Sequence, residues 1–162
     1  MLVRSILFVV LFNLSTFLQM VFWTPVFFFM KREDGWKVVK CWAWNTLWLQ
    51  HILIGNRFEF RGVENIPKNG GALIAAKHQS TWETYTMVLF LDDPSYVLKR
   101  ELMFIPFFGW FAWKMNVIAV NRGKRSEALR AMNLDATQQY EAGRKIVIYP
   151  EGTRKKAYAE PT

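Results

Sequence analysis

Hydrophobic and polar positions divide this chain of 162 residues into two unlike parts. Between Arg4 and Lys31 there is no charged residue, and Ser5 to Met30 reads SILFVVLFNLSTFLQMVFWTPVFFFM, 26 residues in all. As a helix this stretch is about 39 Å long at 1.5 Å per residue, and a bilayer core requires roughly 20 such residues. Asn13, Ser15, Thr16 and Gln19 weaken the apolar run, and Pro25 predicts a kink. A membrane span and a bent, half-inserted anchor both fit. A cleaved signal peptide fits less well, because no small-x-small cleavage site follows. A second helix is expected from Trp36 to Ile54, WKVVKCWAWNTLWLQHILI. Val38, Cys41, Trp42, Leu49, Ile52 and Leu53 share one face at helical spacing, with Lys37, Lys40, Trp44 and His51 largely elsewhere. This pattern suits a helix lying at a membrane interface, or a domain helix whose Trp stripe is core. KRED (Lys31 to Asp34) with Gly35 reads as the turn between the two helices. Residues 1–55 are thus expected to form an N-terminal membrane anchor.

From Asn56 the pattern changes. RFEFRG alternates as a strand does, and GALIAA (Gly71 to Ala76) is a short buried strand after the turn PKNGG. Thr81 to Leu91 predicts a helix and SYVLKR (Ser95 to Arg100) a strand. ELMFIPFFGWFAWKM is helical and very aromatic, broken near Pro106 and Gly109. NVIAVNR is a strand, SEALRAMNLDATQQYEAG a helix opened by Ser126 and closed at Gly143, and KIVIYPEG a last strand. Strands alternating with helices predict an α/β fold, a mixed and largely parallel sheet with flanking helices, over residues 56–162. In such sheets function collects at the loops beyond the carboxyl ends of the strands.

Composition sharpens the picture. The chain is 52% hydrophobic and 17% aromatic, with 21 Lys and Arg against 13 Asp and Glu, a formal charge of +8. Basic groups meet lipid phosphates, and Trp sits well at the headgroup level. Nucleic acid would suit the charge but not the hydrophobicity, so no nucleic-acid partner is expected. The single Cys41 excludes an internal disulfide framework. Two histidines without His-x-x-x-His spacing make a poor metal site, and there is no P-loop or dinucleotide fingerprint.

Three loops follow the expected strands. After GALIAA comes KHQSTWE, after NVIAV comes NRGKR, and after KIVIY comes PEGTRKK. The first carries His78 with Glu83 five residues on; the others carry arginines and glycines. Were their strands neighbours, a base would face a cationic pocket suited to a substrate with a hydroxyl and a phosphate. Each loop also has a plain reading. Ser80-Thr81-Trp82-Glu83 matches a capping box, in which the Glu bonds back to the cap residue's N–H. NRGKR is most often a solvated turn, and RKK a solvated charge run.

Together these blocks resemble the glycerolipid acyltransferase family, in particular its bacterial 1-acylglycerol-3-phosphate (lysophosphatidic acid) acyltransferases. The family's His-x4-Asp motif is met by His78 to Glu83, with Glu in place of the commoner Asp. Its second block resembles KRELMFIPFFGW followed by VIAVNR, and YPEGTR (Tyr149 to Arg154) matches the third. The resemblance covers Phe58 to Arg154 and the hydrophobic N-terminus. A fourth, Pro-centred motif is absent before Thr162, so the acyltransferase domain is expected to be incomplete at its C-terminus.

The resemblance implies an O-acyltransferase that moves an acyl group from acyl-CoA or acyl carrier protein to the sn-2 hydroxyl of lysophosphatidate, giving phosphatidic acid in phospholipid biosynthesis. No cofactor is implied beyond that co-substrate. His78 would be the base and Glu83 its partner. Arg122, Glu151, Gly152, Thr153 and Arg154 would form the phosphate site, with the N–H groups of Gly152 and Thr153 as an anion-binding turn. Phe104, Pro106, Phe107, Gly109 and Trp110 would shape an acyl-chain or acceptor groove. The implied location is the bacterial inner membrane, with the active site at its cytoplasmic face and membrane lipids as partners. An acyltransferase with another glycerolipid or lysolipid acceptor, such as glycerol 3-phosphate, and a non-catalytic, membrane-bound anionic-lipid-binding protein remain the alternatives.

Overall fold

A computed structural model describes residues 2–121, 123 and 125–156. The uncharged stretch is one helix, α1 (Leu2–Phe27), which runs through Pro25. It is long and apolar enough to cross a membrane, and of its residues only Phe27 is buried. A short turn leads into α2 (Arg32–Ile54). The turn expected at Lys31 to Gly35 thus lies earlier, at 28–31. Glu33 and Asp34 occupy the first turn of α2, where carboxylates complement the helix dipole. Gly35, within α2, lets Phe27 and Met115 pack close, since a Cβ there would lie 3.1 Å from both the Phe27 ring and the Met115 sulfur.

The two helices form an antiparallel hairpin. The Trp42 indole N–H donates to Thr16 Oγ1 at 3.0 Å, and Asn45 donates to Ser15 Oγ at 3.2 Å. Of the polar residues that weaken the apolar run, Ser15 and Thr16 therefore face α2, whereas Asn13 is exposed and bonds back to Val9 O. The buried face of α2 holds Gly35, Trp36, Val38, Ala43, Thr46 and Leu47. Cys41 and Ile52, expected on that face, are exposed. The stripe is rotated because Phe27 and the sheet approach α2 over Trp36, Ala43 and Leu47.

Four strands follow: β1 (Ala72–Ala75), β2 (Pro94–Lys99), β3 (Ile118–Val120) and β4 (Lys145–Ile148). Their order is β1-β4-β2-β3, and every pairing is parallel. Between them run α3 (Trp82–Thr86), α4 (Phe108–Lys114) and α5 (Arg125–Glu141). The helix expected over 81–91 is split, α3 giving way to a 3-10 turn at Met87–Leu89. One core cluster joins Trp36, Val38 and Leu47 of α2 to Tyr85, Val88, Leu91, Tyr96 and Val147.

The strand expected in RFEFRG does not form; the segment is irregular. Its alternation instead drives Phe58 and Phe60 onto a ring cluster. Phe60 stacks on Trp82 at 5.8 Å between centroids and meets Phe90 edge-on at 4.2 Å. Rings packed on a helix satisfy the same alternating pattern as a ladder does.

At the amino ends of the strands lies a saturated polar cluster. Arg144, 2% exposed, directs its guanidinium at the carbonyl oxygens of Pro94 (2.8 Å), Met115 (2.9 Å) and Asn116 (2.8 Å). It also donates to Gln139 and to Asp93 Oδ1. Arg32 grips the Asp93 carboxylate through two bonds of 2.9 and 2.7 Å, and the Trp36 indole adds a third at 3.0 Å. This cluster ties α2 to the base of the sheet.

Candidate active site

The carboxyl ends of the strands carry the expected chemistry. β1 and β4 are adjacent, so their loops meet. The strand pairing extends beyond the sheet: the Ala76 N–H donates to Ile148 O at 2.9 Å, and the Lys155 N–H donates to His78 O at 2.8 Å. Between these, the His78 N–H donates to Glu151 Oε2 at 3.0 Å. The β4 loop thus clasps the His78 backbone from two sides.

The imidazole is set by Glu83. Nδ1 lies 2.8 Å from Glu83 Oε1, and both side chains are 19% exposed. The same oxygen accepts the backbone N–H groups of Gln79 and Ser80, each at 2.9 Å. Oε2 accepts the Ser80 hydroxyl at 2.7 Å, and Ser80 Oγ accepts the Trp82 N–H at 3.0 Å. The capping box and the His–carboxylate pair are therefore one structure: a single carboxylate caps α3 and orients the ring. Burial acts to raise the Glu83 pKa, but hydrogen bonds from the Ser80 side chain and backbone and from His78 outweigh it, and the carboxyl lies below its ordinary value. An ionised carboxylate can only accept, so Nδ1 carries the proton and a neutral ring presents Nε2 as an acceptor. Among the described residues no hydrogen bond reaches Nε2. The Tyr149 ring lies against the imidazole at 4.4 Å between centroids, and burial pushes its phenol pKa up.

The other expected site residues fall differently. Gly152 has φ +65 and its N–H donates to Tyr149 O at 2.9 Å. Glycine is required there by the turn, and that N–H closes the turn instead of facing outward. Glu151 holds the His78 loop. Thr153 and Arg154 are exposed on the same loop. Arg122 lies outside the described residues; its strand β3 occupies the sheet edge opposite β1. Lys99 ends β2, whose Tyr96 lies opposite Val147 of the neighbouring β4.

None of the five expected groove residues is among those lining the cleft that reaches Glu83. Phe104 and Trp110 are 74% and 48% exposed. Phe107 forms a tight turn with φ +62, the Phe108 N–H donating to Pro106 O at 2.7 Å. It packs edge-on against Phe17 of α1 at 5.8 Å. Gly109 is buried in α4, where a Cβ would lie 1.9 Å from Met103 O. These aromatics form a surface continuous with α1. The cleft that does reach Glu83 is lined by Phe8, Phe12, Phe58 and Trp82, with Arg57 and Lys77.

A family model described as Acyltransferase matches residues 57–159. The chain belongs to the acyltransferase family. Among curated proteins this acyltransferase is 37% identical to a 1-acyl-sn-glycerol-3-phosphate acyltransferase of Pseudomonas aeruginosa over 157 residues, 94% of this chain and 59% of that protein. A protein of the same description from Borreliella burgdorferi is 33% identical over 112 residues, 68% of this chain and 43% of the relative. The acyltransferase therefore spans less than two thirds of the length of these relatives. Its fold is that of the LPA acyltransferase PlsC from Thermotoga maritima, with a TM-score of 0.74 at 24% identity, covering 94% of this chain and 63% of that one.

Proposed function

We propose that this acyltransferase transfers an acyl group from a thioester donor, acyl-CoA or acyl carrier protein, to the sn-2 hydroxyl of lysophosphatidate. The observation that carries this reading is the His78–Glu83 pair, with Nδ1 fixed at 2.8 Å from the carboxylate and Nε2 left for a substrate. The hydroxyl proton passes to Nε2 as the oxygen attacks the thioester carbonyl. The tetrahedral intermediate collapses with cleavage of the C–S bond, and Nε2 returns the proton to the departing sulfur. Glu83 stabilises the imidazolium between the two transfers. No covalent acyl-enzyme is required.

In this reading Arg154, Arg122 and the Thr153 N–H hold the acceptor phosphate, since charge-assisted bonds to phosphate are strong. Glu151 is a positioning residue for the His78 loop, and Gly152 permits the turn. The exposed faces of α1 and of the Phe104–Trp113 surface rest in lipid, at the cytoplasmic face of a bacterial inner membrane. High-salt and carbonate washes, which strip electrostatic adsorption, would leave the chain on membranes.

The test is thioester release by the detergent-solubilised chain, with lysophosphatidate, glycerol 3-phosphate and lysophosphatidylcholine as acceptors and product identified by mass. Phosphatidate formation dependent on lysophosphatidate is expected. Transfer to the other acceptors alone, or lipid binding without thioester consumption, would overturn the reading.

A further inference from the structure

Glu83 fixes the imidazole at one atom. Its bond to Nδ1, 2.8 Å long, sets where that nitrogen sits. The second side-chain torsion of histidine has broad wells, so a ring held only at Nδ1 can still tilt, and tilting swings Nε2 on its far side. A restraint on the face of the ring removes that freedom. The Tyr149 ring occupies this place, 4.4 Å from the imidazole between centroids and inclined at 30°. Tyr149 is itself held on three sides. Its backbone directly follows β4, its carbonyl accepts the Gly152 N–H at 2.9 Å, and its hydroxyl reaches Met87 Sδ at 4.0 Å. Met87 and Tyr149 both pack against the core cluster. The hydroxyl is thus engaged with the core, and the ring face is what Tyr149 presents to His78.

Chemistry adds to the geometry. Burial pushes the Tyr149 phenol pKa up, so the ring meets the imidazole uncharged. An aromatic face is the negative end of its quadrupole and attracts a cation placed over it. It therefore favours the imidazolium that exists between the two proton transfers over the neutral ring. Glu83 acts in the same sense from the ring's edge. We propose that Tyr149 is a second positioning residue for His78, its ring face setting the plane of the imidazole and hence the direction of Nε2. The reaction this serves is taken from the acyl-transfer reading, on which the kinetic half of the inference rests. The charged groups on the two loops that meet at the imidazole are Lys77 and Glu83 on the first and Glu151, Arg154, Lys155 and Lys156 on the second. A neutral substitution at Tyr149 leaves all of their charges unchanged.

The test uses the full chain in detergent micelles and compares wild type with Tyr149→Phe, which keeps the ring, and with Tyr149→Leu and Tyr149→Met, which lack it. The chain has two histidines, so histidine-selective labelling gives two sets of imidazole proton signals, and His78→Ala assigns them. An aromatic face shifts protons lying over it upfield. The His78 ring protons should therefore lie upfield in wild type and in Tyr149→Phe. They should move downfield in the ring-free variants, towards those of the exposed His51. In the thioester assay, with kcat taken per folded molecule, the ring-free variants should lower kcat about 10–100-fold, the range from a lost cation–π contact to a misplaced reacting atom. KM for both substrates should be unchanged, as for an interaction made only in the transition state, and Tyr149→Phe should turn over like wild type. His78 signals indifferent to loss of the ring, ring-free variants as fast as an active wild type, or a Phe variant as slow as the Leu variant would overturn the inference. The signals need no turnover, so a ring-dependent shift without acyl transfer in any of the proteins would leave the positioning contact standing while the acyl-transfer reading fell.

Discussion

The two ends of the same four strands carry polar clusters built on opposite principles. At the amino end Arg144 is 2% exposed and spends its donors on four carbonyl oxygens, an amide and a carboxylate. At the carboxyl end Glu83 is saturated in the same way, yet the ring it holds has one nitrogen without a partner among the described residues. A fully satisfied network rigidifies a fold. A network satisfied except at one atom leaves that atom for something else. Burial and charge do not separate structure from chemistry here; the unfilled position does.

The comparison breaks most sharply at His78. His78→Ala should lower turnover by about 10⁴-fold, the upper range for a general base, with an unfolding midpoint near that of wild type. Wild-type-like turnover in the purified variant would place the two clusters in one class. Next is Arg144→Ala, which removes the guanidinium from the Pro94 and Met115 carbonyls and leaves Asn116 O only the Ser95 hydroxyl, while Arg32 and Trp36 still hold Asp93. Breaking a buried charged network costs about 3–5 kcal/mol. Chemical denaturation should show that loss, and turnover per folded molecule should be preserved.

Glu83 sharpens the comparison because it belongs to both classes. Its oxygens receive four donor groups, from His78, Gln79 and twice from Ser80. From sequence, Glu83→Gln is expected to preserve the capping box with little change in stability. The geometry replaces that expectation: the amide N–H₂ of Gln must face donors that were meeting an oxygen. Turnover should fall by about 10²–10³-fold and stability by about 1–2 kcal/mol. Glu83→Asp should lie between Glu and Gln in kcat. A Gln variant as fast as wild type would reduce Glu83 to capping.

The smallest effect is in acid. The folded pKa of Glu83 is lowered from 4.5, so its contribution to stability is fully present above the unfolded value and is lost as pH falls through the lower, folded one. The stability gap between wild type and Glu83→Gln should therefore be constant near about pH 6 and narrow below about pH 4. Melting curves across that range measure it, and a gap that widened in acid would show the sign to be wrong.

Much of this was legible in the chain. All four strands paired in the sheet overlap stretches expected as strands, β2 starting one residue early at Pro94, and His78 with Glu83 was visible because five residues of separation is a local relation. What was hidden is long-range. Nothing in EAGRK marks Arg144 as buried, since its partners come from residues 93, 94, 115 and 116. Glu151 carries no mark that it holds an N–H 73 residues away. The face of α2 was misjudged because Phe27 and the sheet, not its own periodicity, select which side is covered. The alternation in RFEFRG was real but was satisfied by Trp82 and Phe90 instead of a neighbouring strand.

Strand β1 pairs only with β4 in the described sheet, and its Leu73 is 65% exposed. The loop that holds the imidazole hangs from this edge strand. Local opening free energies in proteins range from near zero to the global value, and peripheral elements sit at the low end. Amide hydrogens of β1 should therefore exchange with deuterium ahead of those in β2 and β4, whose strands are flanked on both sides. On heating, the molecule would lose its reactive geometry while most of its helices stayed intact, so the temperature at which it stops working would lie below the temperature at which it melts.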